Sequence, residues 1–121
     1  MSDFLQHECG VAMIRLLKPL SYYKEKYNTS FYALNKMYLM MEKQRNRGQD
    51  GVGLVNIKLD VKPGERFISR KRSVSSDPIQ DVFKHINSYF NNLLEKDKLN
   101  DVNWLKENLP FTGEVFLGHL R

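Results

Sequence analysis

The chain has 121 residues, 41% of them hydrophobic, so it is one domain or part of one with enough apolar material for a core. Its net charge of +5 permits a polyanionic partner without requiring one. The basic residues are scattered apart from Arg70-Lys71-Arg72, a knot that reads as a solvated strand end rather than a nucleic-acid site. No run approaches the roughly 20 apolar residues of a membrane span, residues 1–8 lack the pattern of a secretory signal, and a single cysteine makes the cytoplasm the expected compartment.

Residues 9–17 form a nearly continuous apolar run, which predicts a short strand buried on both faces. Lys18-Pro19 breaks that run, and the polar, tyrosine-rich stretch 20–28 reads as a loop. Asn28, Thr29 and Ser30 offer caps for a helix whose apolar positions are Phe31, Leu34, Tyr38 and Met41, and Gly48 is well placed to end it. Residues 52–59 and 66–71 read as a hairpin turning through 60–65, where Pro63-Gly64 supplies the turn. Asp77-Pro78-Ile79-Gln80 is a helix start: a capping side chain, proline at the first helical position, and Gln in the capping-box position. Ile79, Val82, Phe83, Ile86, Phe90 and Leu93 make one stripe behind it. The charged stretch 95–108 is expected to be a short helix or a docked loop anchored by Trp104 and Leu105. Residues 114–120 return to strand character. Periodicity alone therefore gives a mixed α and β domain.

Three segments carry chemistry. Cys9-Gly10 opens the first strand, Arg47-Gly48-Gln49-Asp50-Gly51 lies where a helix hands over to a strand, and Gly118-His119-Leu120-Arg121 ends the last apolar run. A thiolate is a strong nucleophile that needs little activation near neutral pH. Gly48 and Gly51 permit tight backbone geometry, and the guanidinium of Arg47 can face an anionic group or the thiolate. In this order and spacing the three segments resemble the glutaminase domain of class II glutamine amidotransferases, which are N-terminal nucleophile enzymes. The Arg-Gly-Gln-Asp variant is most similar to the amidophosphoribosyltransferase branch, and relatives with other ammonia acceptors usually carry a different residue in place of Gln49.

The resemblance implies an α+β fold, the four-layer αββα sandwich of N-terminal nucleophile hydrolases, present here as its N-terminal part over residues 9–121. Residues 1–8 would then be a leader. It implies glutamine as substrate, Cys9 as nucleophile, and a pocket lined by Arg47, Gly48, Gln49, Asp50 and His119. Arg121 would clamp the α-carboxylate with its bidentate fork. Cleavage of the Glu8–Cys9 bond would give Cys9 a free α-amine with a pKa of about 8, a base on the same residue as the nucleophile. His119 is then structural rather than catalytic.

Phosphoribosyl pyrophosphate is the implied ammonia acceptor, bound by a phosphoribosyltransferase domain outside these residues, as would be any Mg²⁺. No cofactor or metal is expected in this segment, and a homo-oligomer is expected of the whole enzyme. The family's oxyanion donors, an asparagine and a glycine, follow the Gly-His-x-Arg segment, so residues 1–121 alone are expected to be inactive. Segments 18–28 and 87–112 read as insertions. Two alternatives stand beside this reading: a glutaminase domain serving a hexosamine or asparagine synthase, and a noncatalytic binding module with the same sandwich. His7 lies two residues from Cys9 but would leave with the leader. His85 falls at a helix edge, and three dispersed histidines with one cysteine make no zinc site.

Overall fold

A computed structural model describes residues 9–45 and 50–121. The strands are β1 (Gly10–Arg15), β2 (Val52–Ile57), β3 (Ile68–Ser73) and β4 (Val115–Leu120). The helices are α1 (Leu20–Tyr27), α2 (Tyr32–Lys43), α3 (Pro78–Asn91) and α4 (Val102–Asn108), with a 3₁₀ turn at Lys96–Asn100. The four strands form one antiparallel sheet in the order β1-β4-β2-β3. The last strand in the chain thus sits between the first and the second. Among the described residues no helix is long and apolar enough to cross a membrane.

Alternation along the strands sorts side chains onto two faces. The inner face carries Ala12, Val52, Leu54, Phe116 and Leu120, all buried, under the apolar stripes of α2 and α3. Met37 and Met41 of α2 and Val82 and Ile86 of α3 are sealed from solvent, each contributing roughly 1.5–3 kcal/mol by burial. Gly118 lets α2 approach this closely: a Cβ there would lie 2.8 Å from Met41 Sδ and 3.0 Å from Met37 Cε. Asn56 is the polar member of the inner face, with no exposed surface. Its Nδ2 donates to the carbonyls of Val115 (2.9 Å) and Gly113 (3.2 Å), and its Oδ1 accepts from Gly113 N–H (2.8 Å). It therefore fixes the turn into β4.

The stripe on α3 and the last strand lie where the periodicity puts them, and the hairpin forms with its second strand two residues later than expected, at Ile68–Ser73 rather than 66–71. Four other expectations change. The first strand is covered on one face only: Ala12 is buried while Val11 and Met13 are 67% and 55% exposed, because no layer lies over the outer side of the sheet among the described residues. The stretch 20–28 is helical through Tyr27; α1 buries no residue and is held instead by ring stacking of Tyr23 and Tyr27 on Tyr32 of α2, with centroids 5.2 and 4.4 Å apart. The helix that follows ends at Lys43, and Gly48 lies outside the described residues. Asp77 precedes α3 without a side-chain cap, its Oδ1 standing 3.5 Å from the Arg45 guanidinium, while Gln80 reaches across to Tyr38 and Glu42 of α2 rather than back to the cap. In the charged stretch, Leu105 is buried and Trp104 half-buried, so the segment is docked as expected.

Candidate active site

The register turns the outer face into transverse rows. One row reads Val11, His119, Gly53, Arg72 across β1, β4, β2 and β3; the next reads Met13, Leu117, Val55, Arg70. Beyond the first row the sheet is closed by backbone pairing between Arg121 and the start of β2. Arg121 N–H donates to Gly51 O (2.9 Å), and Arg121 O accepts from Gly51 N–H (3.2 Å) and Asp50 N–H (2.6 Å). Continuing the β1–β4 register by one residue from Gly10↔Leu120 sets Cys9 beside Arg121. Cys9 is exposed at this end of β1.

Val11, Asp50, Gly53, Val55, Arg70, Arg72, Leu117, His119 and Arg121 line a groove of about 650 Å³ on this outer face, and Cys9 stands beside it without lining it. Gly53 supplies a floor without a side chain between His119 and Arg72, and Val11, Val55 and Leu117 give it apolar walls. Arg70, Arg72 and Arg121 bring three guanidiniums to the lining against the single carboxylate of Asp50. Among the described residues none of these three guanidiniums has a hydrogen bond or an ion pair, so their donors face the groove and solvent. The arrangement favours a small ligand with an anionic group, next to a thiol.

Of the residues singled out from sequence, Cys9, Asp50, His119 and Arg121 converge on this end of the sheet. Arg47, Gly48 and Gln49 lie outside the described residues, as do His7 and the leader. His85 is exposed on α3, its ring edge-on to Tyr89. Among the described residues no group of three His, Cys, Asp or Glu side chains could hold a metal ion. Arg70 and Arg72 read from sequence as a solvated strand end, yet they line the groove. The alternation of β3 carried the signal: in a hairpin with β2, residues 70 and 72 share a face, and β4 brings His119 to that face. No family model, no curated protein and no solved structure matches this chain.

Proposed function

We propose that residues 9–121 are the N-terminal part of a glutaminase domain of the class II glutamine amidotransferase type, most like amidophosphoribosyltransferase, which releases ammonia from glutamine for phosphoribosyl pyrophosphate. The observation that carries this reading is the convergence of Cys9, Asp50-Gly51 and Arg121, distant in sequence, at one end of one sheet beside a groove lined by three guanidiniums that have no partner among the described residues. The four-layer sandwich belongs to the same proposal. The present sheet has helices on one face and apolar side chains on the other, as one half of such a sandwich would.

In this reading Arg121 holds the α-carboxylate of glutamine, and the side-chain amide extends along the groove toward Cys9. The thiol proton passes to the α-amine of Cys9, made available by cleavage of the Glu8–Cys9 bond. The thiolate attacks the amide carbon, and the ammonium of Cys9 returns the proton to the departing ammonia. Water then hydrolyses the thioester to glutamate. Holding the reacting groups in place is worth several orders of magnitude in effective concentration, but the tetrahedral oxyanion needs donors that the resemblance assigns to residues beyond Arg121. Loss of one such donor costs about a hundred- to a thousandfold in rate.

The test uses a polypeptide carrying the whole glutaminase and acceptor domains. A glutamine-analogue electrophile should label Cys9 stoichiometrically, as mapped by mass spectrometry, and Cys9→Ser should abolish glutamine use while sparing synthesis from free ammonia. Full glutaminase activity with Cys9 unlabelled would overturn the assignment. Glutaminase activity stimulated by phosphoribosyl pyrophosphate is the result expected of this acceptor; indifference to it points to another amidotransferase.

A further inference from the structure

At the opposite end of the sheet from Cys9 and Arg121, a second depression of about 370 Å³ lies between the β2–β3 connection, the end of α4 and Tyr89 of α3. Lys58 lines it and is only 8% exposed. Its Nζ donates one hydrogen bond, to Lys106 O at the end of α4 (2.6 Å). The neighbouring carboxylate, Glu114, is already committed: it pairs with Lys106 Nζ at 2.6 Å and accepts from Leu59 N–H at 2.9 Å. Glu114 is thus paired with Lys106 and not with Lys58, and two N–H donors of Lys58 have no hydrogen-bond acceptor among the described residues. Arg66 lines the same depression, tied through Nε to Ile68 O (3.2 Å), and its terminal guanidinium nitrogens have no partner among the described residues.

A buried charge is normally paired, and a shortfall of negative charge beside a cavity is a place for an anion. The structure assigns this depression as a seat for a small oxyanion, a phosphate or carboxylate carried on a small molecule, with Lys58 at its floor and Arg66 at its rim. The carbonyl end of α4 supplies part of the balance to Lys58. The carboxylates of Glu65 and Glu107 also line the depression, and both residues are exposed. They limit how much negative charge the seat takes, which favours a singly or doubly charged group over a polyanion. Burial, and then the Lys106 charge, hold the Lys58 ammonium below the usual lysine value of 10.5, while Glu65 and Glu114 oppose that shift more weakly. Arg70 lines both this depression and the groove, but the assignment rests on Lys58 and Arg66 and so is independent of the glutaminase reading.

The experiment titrates the 121-residue chain with inorganic phosphate and, separately, succinate, each against chloride at constant ionic strength. Nitrogen–proton correlation spectra report on Ser69, Phe111 and the Lys58 side chain. Saturable shifts at these residues are expected, with at least a tenfold weaker dissociation constant in Lys58→Met and a smaller loss in Arg66→Met. A response to phosphate alone identifies a phosphate ester, and one to succinate alone a carboxylate. If Lys58→Met does not fold, Arg66→Met and the wild-type shifts of the Lys58 side chain decide. Shifts that are absent, that do not saturate, or that persist undiminished in both variants overturn the site.

Discussion

Among the described residues Arg121 joins the sheet through its backbone, so its side chain can be changed without unpairing the strand. In the proposed glutaminase, Arg121→Leu is expected to raise the Michaelis constant for glutamine about ten- to a hundredfold, the value of a lost charge-assisted pair of hydrogen bonds. Arg121→Lys should recover part of this, because a point ammonium cannot reproduce the fork. An unchanged Michaelis constant in the leucine variant would remove Arg121 from the site. Asn56 presents the opposite case. Its side chain serves three backbone groups in the core, so Asn56→Leu leaves an N–H and two carbonyls without their partner. At about 1–3 kcal/mol for each unsatisfied buried group, the variant should be close to unfolding by urea denaturation. A loss below about 1 kcal/mol would mean that water reaches the turn.

Among the elements, α4 and its surroundings carry a distinct pH signature. The lowered proton affinity of Lys58 means that the folded chain binds fewer protons than the unfolded chain at pH values just below 10.5. Its contribution to stability is therefore unfavourable when Lys58 is charged and improves as pH rises through the folded value toward the unfolded one. Compared with Lys58→Met, the wild-type chain should gain stability over that alkaline window; parallel curves would show that Lys58 is not the source.

The elements also show where sequence pattern reaches its limit. The stripe on α3 and the two hairpin strands were legible because one buried face imposes a period, and the structure has that face. Segment 20–27 was not, since α1 has no buried stripe and owes its shape to rings stacked on a neighbour. The run at residues 9–17 showed that β1 is apolar on both sides but not whether anything covers both. The groove was half legible: Asp50, His119 and Arg121 stood out as motif residues, whereas Arg70 and Arg72 became groove residues only once strand order placed them two strands from β4.

For the molecule as a whole, the uncovered face has Val11, Met13, Ile68 and Leu117 exposed within a field of arginines. Among the described residues its β1 edge is met only by the Gln44 side chain, which donates to Val11 O (3.1 Å). A contiguous apolar face and an open edge favour association. The 121-residue chain should therefore sediment as a concentration-dependent mixture and bind an apolar dye, and Met13→Lys with Leu117→Lys should shift it toward monomer. A polypeptide that includes the second sheet of the proposed sandwich should do neither, and dye binding of equal strength in that longer protein would count against the sandwich.

The strand order has a consequence for how this molecule comes into being. β4 is the partner of both β1 and β2, yet it is the last of the four strands to be synthesised. Until it arrives, the first strand has no neighbour in the sheet, and the β2–β3 hairpin waits with one side open. Closing β1 onto β4 spans about a hundred residues, the kind of distant pairing that slows folding and cannot begin on a partly made chain. Because β4 also brings Leu117, His119 and Arg121 to the groove, and Arg121 pairs with Gly51, the groove is not assembled on the nascent polypeptide before β4 is made. The order of synthesis itself therefore delays assembly of the groove until the chain has run through Arg121.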